Sequence, residues 1–156
     1  MRLSDFFWTI IAFASVLIFL IILNSLAEGL WLQSRFWLRY GRKGKYILFV
    51  YSNSPNWKDY IESNILPRIE GHAVILNWSE HERWNDEHPF EAKLFGHWAD
   101  SKEFNPVAII FPPVGQVKVI RFWQAFQDYK HGKEQQLKLA EEALFKKIIE
   151  RASDTA

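Results

Sequence analysis

The sequence predicts an α/β domain with a mixed central sheet flanked by helices, preceded by one N-terminal membrane-spanning helix. Three observations predict this class. Residues 6–23 are apolar and carry no charge. Residues 46–51, YILFVY, form an unbroken apolar run that ends in Ser52, Asn53, Ser54 and Pro55. A run of that kind, closed by turn formers, is a strand buried on both faces. Beyond it, short apolar runs alternate with segments whose apolar residues recur every three or four positions, the pattern of strands joined by helices.

A short tail, residues 1–5, precedes the first helix. FFWTIIAFASVLIFLIIL, residues 6–23, has only Thr9 and Ser15 as polar members. Eighteen helical residues span about 27 Å, close to the roughly 30 Å of a bilayer's hydrocarbon core. Extension to Leu26 makes residues 6–26 a comfortable span. A cleaved signal peptide is the competing expectation, since Ser25-Leu26-Ala27 looks like a cleavage site; the length of the apolar run favours a retained anchor. Arg2 stands on the amino side, against Arg35, Arg39, Arg42, Lys43 and Lys45 on the other. The positive-inside rule then puts the amino terminus outside and the domain in the cytoplasm.

Residues 27–45 are expected to form an amphipathic juxtamembrane segment and a basic linker. Trp31, Phe36, Trp37 and Tyr40 alternate with Arg35 and Arg39, the aromatic and snorkelling mixture that the headgroup layer favours. Packing of this segment on the domain is the alternative. Gly41-Arg42-Lys43-Gly44 is the linker.

The domain occupies residues 46–156. Pro55 suits the first turn of a helix, which runs through Trp57, Tyr60, Ile61, Ile65, Leu66 and Ile69 on one stripe. Pro67 is expected to kink or end it. Residues 72–78 form a second short strand. Residues 79–88, SEHERWNDEH, are a loop or an exposed helix start, and Pro89 opens a helix through Phe90, Leu94, Phe95 and Trp98. Residues 107–111 and 117–122 are strands joined by a turn at 112–116, so they form an antiparallel hairpin. Residues 135–149 close the domain as an amphipathic helix with Leu137, Leu144, Phe145 and Ile148 inward.

At 156 residues the chain holds one modest domain plus an appendage. Nineteen Lys and Arg balance eighteen Asp and Glu, so no global field favours nucleic acid. Cysteine is absent, which excludes disulfides, thiolate zinc sites and thiol chemistry. Thirteen Phe and eight Trp are a surplus of the residues that fill small cores and gather at membrane and partner surfaces. His81, Glu82, Asp86, Glu87, His88 and His97 match no zinc spacing and read as a solvated loop, so no metal is expected.

The element order, strand, helix, strand, helix, hairpin, helix, resembles the thioredoxin fold over residues 46–149. Asn105-Pro106-Val107-Ala108-Ile109-Ile110-Phe111, followed by Gly115-Gln116-Val117, is similar to the family's proline, apolar strand, glycine turn and next strand. The resemblance implies that Pro106 is cis and faces the active site. Ser54-Pro55-Asn56-Trp57 stands where the family has Cys-x-x-Cys at a helix start. Both cysteine positions are lost, to Ser54 and Trp57, so the family's disulfide chemistry is not carried over.

Ser54 is the one candidate for catalysis, as a hydroxyl donor to a bound thiolate of the kind some glutathione transferases use. Their Glu-Ser pair after the hairpin is missing, since Arg121-Phe122-Trp123-Gln124 stands there. The plainer role for Ser54 is a helix N-cap. Ser52, Asn53, Ser54, Pro55, Asn56 and Trp57, with Asn105 and Pro106, are the partner-binding candidates. Trp57 is either an exposed anchor for a partner or an ordinary packing residue. The expected function is that of a membrane-anchored, non-catalytic module that binds a protein partner. The alternatives are a glutathione-dependent or other transferase using Ser54, and an accessory subunit held in a membrane complex by its transmembrane helix. No cofactor is expected; the expected partners are membrane lipid and a protein or membrane complex.

Overall fold

The structure, a computed structural model, describes residues 3–99 and 105–154. Met1 and Arg2 of the expected tail lie outside the described residues. The chain divides into two compact units, Met1–Arg35 and Phe36–Ala156.

The first unit is the body of helix α1, Leu3–Tyr40. Its side chains from residue 7 to residue 27 are exposed, an almost wholly apolar surface left uncovered by the described residues. The helix is long and apolar enough to cross a membrane, a test that an N-terminal signal sequence also passes. The Ser15 hydroxyl donates to the Ile11 carbonyl at 2.8 Å. That bond satisfies the polar group within its own helix.

The second unit is built on a four-stranded sheet of order β2-β1-β3-β4. Strand β1, Ile47–Tyr51, is buried along its whole length. It pairs in parallel with β2, Ala73–Asn77, and antiparallel with β3, Val107–Ile110. Strand β4, Lys118–Arg121, closes the far edge antiparallel to β3. The apolar run thus became the central strand because only there do both of its faces avoid water.

Side chains alternate across a strand, so the two faces of β1 build separate layers. Ile47, Phe49 and Tyr51 meet Ile61, Ile65 and Ile69 from helix α2, residues 58–69. The same layer takes Phe126 from α5, Trp123–Lys130, and Leu137, Leu144 and Phe145 from α6, Gln135–Asp154. The opposite face, with Leu48 and Val50, takes α4, Pro89–Trp98, and the last turn of α1. There Phe111 stacks on Phe36 at 4.1 Å and meets Trp98 edge-on at 5.1 Å. The short helix α3, Trp84–Glu87, leads into α4.

Two features differ from the sequence expectation, and two alternatives that it left open are resolved. Residues 55–57 form a turn, so α2 starts at Lys58 rather than at Pro55. Pro67 does not end α2. A π turn over Ile61–Ile65 precedes it, with the Leu66 N–H bonded to the Ile61 carbonyl, and the helix continues to Ile69. The wider turn accommodates a residue that lacks an N–H and crowds the carbonyl four positions back. Residues 78–83 form a 3₁₀ helix, the helical one of the two expectations for this segment, started by the Ser79 N–H bonding to the Asn77 side chain at 3.0 Å. Helix α5 was not expected at all.

The juxtamembrane segment also differs. Helix α1 is continuous to Tyr40, and its last turn is packed on the domain rather than lying free. Phe36 is fully buried and therefore unavailable to lipid. The Trp37 indole donates to the Pro112 carbonyl at 2.9 Å, and the Tyr40 hydroxyl donates to buried Glu91. Arg39 lies 3.7 Å from the same carboxylate. Trp31 and Arg35 remain exposed, with the guanidinium 5.0 Å from the indole.

Candidate functional site

The loops at the carboxyl ends of β1 and β2 and the amino end of β3 meet at one pole of the sheet. Val50 pairs with Val107 at the end of the ladder, so the chain beyond Val50 and the chain before Val107 leave the sheet at the same end. Tyr51 also pairs with Asn77, which brings the two parallel strand ends together. The register thus brings the expected Ser52–Asn53 and Asn105–Pro106 segments to one place.

A chain of amide and hydroxyl groups holds this pole. The Asn77 side-chain amide donates to Asn53 Oδ1 at 2.9 Å, and the Asn53 N–H donates to Ser79 Oγ at 3.0 Å. Asn77 and Ser79 were not singled out in the sequence. Their signal was positional: both are polar residues following a second apolar strand that runs parallel to the first. Below them the Tyr51 hydroxyl donates to Glu62 at 3.1 Å. Burial, and then that bond, push the Tyr51 pKa above its ordinary value.

Ser54 serves the start of α2. Its carbonyl accepts from the Trp57 N–H at 3.2 Å and the Lys58 N–H at 2.9 Å. Its hydroxyl oxygen lies 3.4 Å from the Asn56 N–H, which points at it. These are the contacts of a turn-and-cap residue. Asn53, Pro55 and Asn56 are exposed around it.

Trp57 is not an exposed anchor. It is 8% exposed and sits against Phe126 at 6.1 Å. The unexpected helix α5 supplies Phe126, which is why the sequence left its packing open. Among the described residues the indole Nε1 is buried without a hydrogen-bond partner. Asn105 is equally buried, and its Oδ1 has no partner among the described residues either. The Asn105–Pro106 peptide is cis, the configuration the resemblance implies there. The Pro106 carbonyl accepts from the Phe122 N–H at 2.9 Å and is committed to the hairpin.

The acidic and histidine-bearing segment serves packing and surface pairing. His81 stacks on Trp78 at 4.4 Å, and Arg83 pairs with Glu80 at 3.2 Å and Glu87 at 3.7 Å. Among the described residues no group of three His, Asp or Glu side chains could hold a metal ion. No family model, curated protein or solved structure matches the chain.

Proposed function

We propose that the chain is a membrane-anchored, non-catalytic thioredoxin-like module whose pole at Ser52–Trp57 and Asn105–Pro106 binds a protein partner. The sheet order β2-β1-β3-β4, with one parallel and two antiparallel pairings, supports the thioredoxin-like reading. The uncovered apolar length of α1 supports a retained anchor, and the cluster of Arg and Lys after it supports a cytoplasmic domain.

The observation that carries the binding role is Asn105. Among the described residues its Oδ1 is a buried acceptor with no donor, at the same end of the sheet as the loop whose Asn53, Pro55 and Asn56 are exposed. Buried polar atoms without partners are rare in folded proteins and cost about 1–3 kcal/mol each. An extended segment of a partner laid along this strand end brings the missing donor from its backbone.

The transferase alternative needs the Ser54 hydroxyl for a bound thiolate. Saturable glutathione binding lost in Ser54→Ala supports it, and no binding excludes it. The accessory-subunit alternative puts the contact on α1, so exchanging residues 6–23 for an unrelated span abolishes assembly. The partner-binding reading is tested with a photo-crosslinking amino acid placed at Asn56 in one variant and at exposed His131 in another. One discrete adduct from position 56 and none from 131 is expected. Equal labelling from both, or adducts from 131 alone, contradicts the assigned surface.

A further inference from the structure

At the opposite pole, where the chain enters the domain and β1 begins, there is a hollow of about 190 Å³. Phe111 and Pro112 form its apolar wall, and Lys118, Lys147 and Arg151 stand around it. Tyr46 also lines it. That residue is 4% exposed, and its hydroxyl is buried with no hydrogen-bond partner among the described residues. Its position is set by the sheet: the Tyr46 N–H bonds to the His72 carbonyl at 2.9 Å, and its carbonyl accepts from Phe111 at 2.8 Å. Burial pushes the phenol pKa up despite the opposing charge of Arg151, so the group remains an O–H donor at neutral pH.

The cations are placed by two elements. Lys118 opens β4, and Lys147 and Arg151 are four residues apart on one face of α6. The Arg151 guanidinium lies 4.4 Å from the Trp37 ring and 4.8 Å from that of Tyr46. Glu150 also lines the hollow and pairs with Lys147. Among the described residues that line the hollow, Lys118, Lys147 and Arg151 are the cations and Glu150 the carboxylate, an arrangement that attracts an anion. The volume is below the roughly 300–1,000 Å³ of sites that enclose a whole small molecule. A hollow of that size takes one charged group of a molecule whose remainder lies elsewhere.

The position says where that remainder lies. Pro112 is bonded to Trp37 on the last turn of α1. Trp37 follows Leu26, the last residue of the expected span, by eleven residues. We propose that this hollow holds the phosphate of an anionic phospholipid from the bilayer that carries the anchor, with the Tyr46 hydroxyl and the cations of Lys118, Lys147 and Arg151 as its donors. The inference rests on the anchored reading given above.

The test uses the full-length chain in nanodiscs of equal phosphatidylcholine and phosphatidylglycerol, with native mass spectrometry of the lipids it retains. Preferential retention of phosphatidylglycerol is expected. Tyr46→Phe keeps the ring and removes only the donor, so retention falls about tenfold, the scale of one hydrogen bond to a charged group. Lys118→Gln, at an exposed strand end, lowers it as well; circular dichroism confirms that both variants fold. Equal retention of the two lipids, or retention unchanged in both variants, overturns the proposal. Displacement by millimolar glycerol phosphate overturns the lipid assignment in favour of a soluble phosphate. Alkaline carbonate separates the two claims. A chain that it strips from bilayers refutes the anchor and the proposal together, whereas a retained chain with no lipid preference refutes the hollow alone.

Discussion

Glu91 is fully buried on α4, with the Tyr40 hydroxyl and the Arg39 guanidinium directed at one of its oxygens. Its other oxygen has no hydrogen-bond partner among the described residues. The pair therefore fixes the last turn of α1 on the domain through a single oxygen. Glu91→Ala orphans the half-buried Tyr40 hydroxyl and costs about 1–3 kcal/mol, while Glu91→Gln keeps an acceptor and costs less than about 1 kcal/mol. Thermal unfolding in mild detergent measures both; equal losses contradict the bonding arrangement. Phe36→Ala removes the ring stacked on Phe111 and costs about 3–5 kcal/mol by the same measurement. Neither contact was legible in the sequence. Aromatic residues interspersed with arginine suit a headgroup layer and a domain face equally well, and Glu91 lies far from Tyr40 along the chain. Asn105 shows the same limit, because an orphaned oxygen is defined by neighbours that local sequence does not name.

Element boundaries followed the local chemistry at some residues and not at others, since Pro55 does not open α2 and Pro67 does not end it. Pro89 opens α4, and residues 46–51 supplied the central strand because a run apolar on both faces has no other place in a sheet. Helix α5 escaped notice because Ala125 and Phe126 are its only fully inward residues, set among Gln124, Gln127 and Asp128. Missing α5 left Trp57 undecided, since Phe126 is what covers it. Phe126→Ala therefore destabilises the domain by about 3–5 kcal/mol, comparable to a core-strand truncation and not to a surface one. The end of α1 makes a second prediction. A Cβ on Gly41 would sit 2.3 Å from Cε3 of Trp37, whose ring is held by Pro112 and Arg151. Gly41→Ala must displace that ring, at about 1–3 kcal/mol. An unchanged unfolding temperature for Gly41→Ala contradicts the packing of the last turn on the domain.

For the molecule as a whole, the buried tyrosines set a limit on the alkaline side. Burial raises the pKa of Tyr46, Tyr51 and Tyr60 above their ordinary values. The folded state thus holds these protons more tightly than the unfolded chain does. Their contribution to stability is complete below the ordinary tyrosine value of about 10 and is lost as pH rises past it. Thermal unfolding followed from pH 8 to 11 is expected to hold steady and then fall; tyrosinate absorbance at an ordinary midpoint without loss of stability contradicts it. The two poles of the sheet differ in chemistry: the chain enters at Tyr46 beside the basic hollow, while the amide-lined loops lie at the other end of β1. The chain has no cysteine, so one placed at Asn56 is the sole thiol. Its labelling by an impermeant maleimide, read on the carbonate-resistant membrane fraction, tests anchorage and orientation together. The account predicts full-length chain in that fraction, unlabelled in intact cells and labelled once the membrane is opened. Labelling in intact cells, or a shortened chain released by carbonate, contradicts it.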